Sequence, residues 1–140
     1  MPSVEFIEKT PLPELTAYAV TAAFEAAQEV LGIPEELAVT VVVVSDEEIQ
    51  AVNKKYRGKD SPTDVLSFRY DTATAELLLG ADQIRRQAEE LQVPVEDEAR
   101  RMIIHGLVHV MGHDHEESQE QAQKQEQLEE SIEQLWQKRR

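Results

Sequence analysis

Val4 and Phe6 alternate with polar neighbours at the start of the chain, and this period of two predicts a first strand with one face on a core. After Pro13, the residues Leu15, Tyr18, Ala19, Ala22, Ala26 and Val30 recur at helical spacing, and Gly32 with Pro34 closes the predicted helix. The run Val39-Thr40-Val41-Val42-Val43-Val44 is β-branched throughout and short for a helix, so it predicts a buried strand. Ser45 and Glu48 then form a capping-box pattern. It predicts a second, short helix through Ile49, Val52 and Tyr56.

Gly58, Asp60, Ser61 and Pro62 mark a loop, followed by strand composition over Val65 to Tyr70 and again over Glu76 to Leu79. Beyond Gly80, Asp82 to Leu91 reads as a helix, and Pro94 separates it from another that runs to Met111. Residues 116–138 predict a last helix, with Leu128, Ile132, Leu135 and Trp136 spaced along one side. Strands interleaved with helices and then helices alone predict an α+β fold, a mixed sheet of about four strands with helices packed on it.

The 140 residues suit one domain spanning 1–140. No apolar run reaches the roughly 20 residues that cross a bilayer, and the N-terminus lacks the basic-then-apolar pattern of a signal peptide. A soluble, cytoplasmic protein with no membrane partner is expected. With no cysteine, any metal must rest on His, Asp or Glu. The net charge of -14 opposes nonspecific approach to nucleic acid. That charge is uneven: Lys54, Lys55, Arg57 and Lys59 cluster, whereas Asp114 to Glu133 holds eight acids and one lysine.

The densest chemistry lies in His105-Gly-Leu-Val-His109-Val-Met-Gly-His-Asp-His115. Positions 105 and 109 fall one turn apart on a helix face and can present two imidazoles to one ion. Ile104, Leu107, Val108 and Met111 form the neighbouring apolar stripe, so the histidines are expected half-buried at its margin. Gly112 stands where a left-handed residue can turn the chain back, bringing a third ligand to the ion. His115 is the candidate and His113 the alternative, which spacing alone does not separate. Three imidazoles suit zinc and leave its fourth tetrahedral position for water, the arrangement of a catalytic site. Asp114 is placed either to orient an imidazole or to serve as a turn residue. Gly106 costs a helix about 1 kcal/mol relative to alanine, and reads either as close packing against another segment or substrate or as a tolerated local weakness. It also occupies the position where zinc peptidases of the His-Glu-x-x-His pattern carry their general base, which argues against proteolysis.

Together with Tyr56-Arg57-Gly-Lys-Asp-Ser-Pro-Thr-Asp-Val-Leu-Ser-Phe68, the histidine motif resembles the YbeY family of bacterial endoribonucleases that act in ribosomal RNA maturation. The resemblance extends over most of the chain, including Leu79-Gly80 and Arg86-Gln87-Ala88. It implies one zinc ion per chain on His105, His109 and His115, and a catalytic role for Arg57. It further implies a single-stranded RNA substrate near the 3' end of small-subunit (16S) rRNA, with the ribosome or small-subunit assembly factors as partners and no DNA. Arg57 would then neutralise charge developing on the phosphodiester, and Lys59 would add phosphate attraction. Thr63, Asp64 and Ser67 read first as turn and strand-start residues and second as supports of the site. The chain departs from the family pattern at His113, where tyrosine is usual, at Arg69, where proline follows the phenylalanine, and around Ala75-Glu76, which lacks a glycine.

Two other functions fit the residues: a noncatalytic assembly factor in which zinc only holds the C-terminal helices, and a zinc hydrolase with a different substrate. A fourth histidine ligand at His113 would close the site and favour the first.

Overall fold

The computed structural model describes residues 2–112 and 118–139. Nine elements follow in the order β1 (Ser3–Glu8), α1 (Ala17–Leu31), β2 (Ala38–Val44), α2 (Asp46–Arg57), β3 (Val65–Arg69), β4 (Thr74–Gly80), α3 (Ala81–Leu91), α4 (Val95–Val110) and α5 (Gln119–Arg139). The strands form a mixed four-stranded sheet in the order β1-β2-β4-β3. β1, β2 and β4 run parallel, and β3 pairs antiparallel with β4 at the sheet edge, Val65 opposite Leu79 and Arg69 opposite Ala75. The α+β expectation holds.

The unbroken valine run of β2 is explained by burial on both sides, since a strand that alternated with polar residues would leave one face to water. Val39, Val41 and Val43 join Leu77, Leu79 and Val65 in the main core, with residues of α1, α3, α4 and α5. Val42 and Val44 join Leu66 and Leu78 in a smaller cluster under Ile49 of α2. Helix α4 is the hub of the larger layer, packing on α1, α3, α5 and both strands of the β3–β4 hairpin.

Local chemistry sets the helix limits. The Thr16 hydroxyl accepts from the Ala19 amide and starts α1, so Leu15 lies before the helix, buried as part of the core. Tyr18, expected on the apolar stripe, is instead 83% exposed, because Val20, Ala23, Phe24, Ala26 and Ala27 define the buried face. The Ser45 hydroxyl accepts from the Glu48 amide at 3.2 Å, as the capping pattern predicts. The Glu48 carboxylate turns to Lys9 of the chain beyond β1 at 3.3 Å. The hairpin between β3 and β4 closes with the Tyr70 amide donating to the Thr74 carbonyl. There the Ala73 amide, donating to Asp71, holds that carboxyl below its usual range.

Helix α5 is docked, not frayed. Ile132 is fully buried, with Leu128, Leu135 and Trp136 partly buried beside it. The Arg100 side chain of α4, 6% exposed, bridges to Glu133 at 2.6 Å and Asp97 at 3.1 Å, with its guanidinium 3.6 Å from the Trp136 ring centroid. Burial pulls the Arg100 pKa down, but the hydrogen bond and charge of Glu133, then those of Asp97, outweigh it and hold the group above its ordinary value.

Candidate active site

A cavity of about 300 Å³ opens beside the outer edge of β3, where three parts of the chain meet. Helix α2 contributes Tyr56 and Arg57 from its last turn. The segment 63–68 supplies the long wall, and α4 supplies His105 and His109.

Each wall has a local cause. Helix α2 ends at Gly58, whose φ of 71° turns the chain away, so Arg57 is the last helical residue. The returning loop is pinned from beneath. The buried Asn53 amide donates to the Ser61 carbonyl at 2.9 Å, and Gln50 donates to the Asp60 carboxylate at 3.0 Å. The loop then meets the end of β4 at Gly80, where the Gly80 amide donates to the Asp64 carbonyl at 2.8 Å. A Cβ at position 80 would lie 2.5 Å from the Thr63 carbonyl oxygen, so only glycine permits that contact.

Gly106 answers the same need on α4. A Cβ there would come within 2.8 Å of Leu77 Cδ2 and 3.1 Å of Ser67 Oγ. The missing side chain lets the helix settle onto the hairpin, which brings His105 and His109 to the cavity on either side of it in sequence. Of the two readings of this mid-helix glycine, close packing against another segment is the one present. Arg69 on β3 adds a tie, donating from Nη1 to the Val110 carbonyl at the end of the same helix. Gly112 follows with φ 88°, the left-handed turn that the sequence predicts.

The two imidazoles are half-buried, with ring centroids 4.8 Å apart and planes at 57°. His105 Nδ1 lies 3.1 and 3.2 Å from the two carboxylate oxygens of Glu129 on α5. An ionised carboxylate only accepts, so Nδ1 carries the proton. The buried Gln125 amide stands 3.3 Å from the same nitrogen, but an Nδ1 accepting from it would set a lone pair against the carboxylate. With Nδ1 committed to Glu129, coordination falls to Nε2. A carboxylate behind the imidazole is the arrangement that fixes the tautomer of metal-binding histidines and raises their basicity. Neither Glu129 nor Gln125 was singled out from sequence. Their only signal was helical spacing with Ile132 in a Gln/Glu-rich stretch where many residues look alike.

Asp64, Thr63 and Ser67 all line the cavity, but the Asp64 oxygens are engaged by structure. Oδ1 accepts from the Val65 amide at 2.8 Å and from Thr63, and Oδ2 from Gln87 at 3.1 Å. Asp64 is therefore a brace for the wall. Lys59, expected to add phosphate attraction at the site, is exposed and does not line the cavity, because Gly58 diverts the chain before it.

His113, Asp114 and His115 lie outside the described residues. Among the described residues no three His, Cys, Asp or Glu side chains are grouped to hold a metal. The donors that are described nevertheless fit a divalent ion of zinc type. Two imidazoles line one cavity, one of them oriented by a carboxylate, near a helix C-terminus whose dipole favours positive charge.

Known proteins give the same arrangement a family. The chain matches the family profile described as Endoribonuclease YbeY over residues 6–137. It is 39% identical to the Endoribonuclease YbeY of Aquifex aeolicus over 97 residues, covering 65% of this chain and 64% of that protein. It is 34% identical to that of Bacillus subtilis over 99 residues, covering 60% and 63%. The matched stretch thus spans somewhat less than two thirds of these relatives' length. A solution structure of TM1509 from Thermotoga maritima superposes with a TM-score of 0.62 at 25% identity, covering 97% of this chain and 93% of that one. A profile match over residues 6–137, which include every described residue that lines the cavity, shows that this chain belongs to the endoribonuclease YbeY family.

Proposed function

We propose that the chain acts as one domain, a zinc-dependent endoribonuclease that cleaves single-stranded RNA and matures the 3' end of small-subunit rRNA in the cytoplasm. The observation that carries this reading is the cavity that Arg57 lines together with His105 and His109. The relatives' naming as endoribonucleases supports it, and no helix among the described residues is long and apolar enough to cross a membrane.

In this reading His105, His109 and His115 hold one zinc ion, with His113 as the alternative third ligand. The bound ion supplies Lewis acidity toward water and a phosphate oxygen. The protein does the rest. Glu129 holds His105 in the tautomer that offers Nε2 to the cavity. Arg57 presents a planar, permanently charged fork to the phosphodiester, where charge on the non-bridging oxygens grows in the transition state. Lys54 and Lys55 in the same helical turn and Lys59 beyond it add a local positive field on a chain whose net charge is -14. Asp64, engaged on both oxygens, keeps the β3 wall in place and is not the proton acceptor.

The test uses the full chain loaded with zinc, with metal content measured on the same sample. It should hold about one zinc per chain, cleave a labelled single-stranded RNA ending in the small-subunit rRNA 3' sequence, spare a duplex, and stop on chelation. His109→Ala and His115→Ala should each lose far more zinc than His113→Ala. Zinc-replete protein that leaves RNA intact but binds small ribosomal subunits would establish the noncatalytic assembly role instead. Zinc-replete protein that neither cleaves RNA nor binds the subunit would point to a different hydrolytic substrate.

A further inference from the structure

Three aromatic rings run outward from the cavity. Phe68 of β3 packs half-buried against the α2 side of the sheet. Tyr56 meets it edge-on, centroids 5.5 Å apart and planes at 68°. Tyr70, just past the end of β3, lies nearly parallel to it, 6.1 Å away with planes at 11°. Mutual packing accounts for Phe68. It does not account for the two tyrosines, which remain 62% and 59% exposed in a chain with only 3 Tyr, 3 Phe and 1 Trp.

The line is also fixed and directional. The Tyr70 hydroxyl donates to Glu76 at 2.8 Å, which holds its ring in the stacked orientation. Tyr56 and Phe68 line the cavity with Arg57, and Tyr70 continues beyond it. At the cavity end Lys55 places its Nζ 5.3 Å from the Tyr56 ring centroid, next to Lys54 and Arg57. At the far end the acidic partner is Glu76, which repels phosphate but not the face of a base. Cationic groups at one end and exposed, pre-oriented π-faces leading away from them are the two ingredients of a single-strand binding track.

We propose that Tyr56, Phe68 and Tyr70 form a stacking platform for the bases of single-stranded RNA, one that carries the strand out of the cavity on the α2 side of β3. The proposal rests on the endoribonuclease reading for its ligand but concerns binding, not the chemical step. It explains how a strongly acidic chain holds a polyanion. Stacking is insensitive to the charge that otherwise repels the substrate, and it needs unpaired bases, which selects single strands.

The experiment measures fluorescence anisotropy of a labelled single-stranded RNA, its integrity checked on a denaturing gel after each reading, on the zinc-loaded full chain at several salt concentrations. Wild type, Tyr70→Ala and Tyr70→Trp are compared, with folding checked by circular dichroism. Tyr70→Ala should weaken binding about tenfold, ~1.4 kcal/mol, while the slope of log affinity against log salt stays the same because no phosphate contact is removed. Tyr70→Trp should retain affinity. An RNA abasic along the track should bind wild type as weakly as the normal RNA binds Tyr70→Ala, and the alanine variant should lose nothing further on it. In turnover assays the Tyr70→Ala change should appear in KM and leave kcat unchanged. Equal RNA affinity of wild type and Tyr70→Ala overturns the platform, as does an abasic RNA bound normally or a changed salt slope. So does a Tyr70→Ala defect confined to binding of small-subunit ribosomal proteins, which would make the rings a protein contact. Wild type that binds with these properties yet cleaves nothing refutes the catalytic reading and leaves the platform standing. Wild type that binds no single-stranded RNA at all refutes the platform, and cleavage is scored separately.

Discussion

Glu129→Ala removes the carboxylate that lies against His105, and its expected cost follows from the geometry. Loss of an outer partner of a metal-binding histidine typically weakens metal binding 10- to 100-fold, about 1.4–2.8 kcal/mol. Here the Glu129 and His105 side chains are 23% and 29% exposed, so water can take over part of the hydrogen bond to Nδ1. The lower part of the range is therefore expected, roughly 10- to 30-fold weaker zinc binding. Glu129→Gln keeps an oxygen acceptor and loses only the charge, so it should fall between wild type and alanine. Helix α5 itself should persist, because Ile132 and the Arg100–Glu133 pair hold it independently. The assay is competition for zinc against a chromophoric chelator at fixed pH, with circular dichroism as the folding control and Glu130→Gln, one exposed position along, as the substitution control. Wild-type zinc affinity in Glu129→Ala would refute the positioning role. Equal weakening in Glu130→Gln would reduce the effect to general loss of negative charge.

Other perturbations separate the remaining parts of the site. Arg57→Ala should leave zinc content and melting temperature nearly unchanged while lowering single-stranded RNA cleavage about a hundredfold or more, with Arg57→Lys restoring only part; full activity in the zinc-loaded alanine variant would remove Arg57 from catalysis. Gly106→Ala should gain about 1 kcal/mol of helix propensity but meet Leu77 Cδ2 at 2.8 Å, an overpacking cost of about 1–3 kcal/mol. The net result should be neutral to about 2 kcal/mol destabilising, and a raised melting temperature would contradict the close fit. The Tyr70 phenol, its ring exposed but its hydroxyl partly desolvated, is pushed up to about 12 by that desolvation and then by its hydrogen bond and proximity to Glu76; a 295 nm absorbance titration should show this component, and Tyr70→Phe should delete it. Its raised pKa favours the protonated form in the folded state. The associated stability is therefore complete below the unfolded value of 10.0 and is lost as pH rises toward about 12. A Tyr70 component titrating at 10 would refute the raised value.

Much of this was legible in the sequence because it depends on neighbours along the chain. The β-branched run of β2, the Ser45 cap, the left-handed turn at Gly112 and the His105–His109 pair are each fixed within a few residues. What depended on packing between distant segments was less legible. Tyr18 has the spacing of a core residue, yet the layer beneath α1 meets the face carrying Val20, Phe24 and Ala27 instead. Lys59 has the charge of a phosphate contact, yet the turn at Gly58 takes it away from the cavity wall. Glu129 is one acid among many in a Gln/Glu-rich helix, and only the docking of α5 on α4, 24 residues from His105, singles it out.

The same division explains why the site depends on two residues with no side chain. The cavity needs a sheet edge, a helix end and a helix face within a few ångströms, and each approach brings backbone or core against an element from elsewhere in the sequence. At Gly80 the obstacle is the Thr63 carbonyl, which is backbone and cannot swing aside; at Gly106 it is the end of the fully buried Leu77 side chain, which would have to shift. Gly80 thereby sets the β3 wall against β4, and Gly106 sets the histidine-bearing helix against that wall. A glycine inside α4 is unfavourable to the helix alone. It is favourable only when the hairpin is counted, so its presence in the sequence reports a contact across the fold before any partner can be named. The histidines disclose the chemistry, and these glycines disclose that the walls around it close.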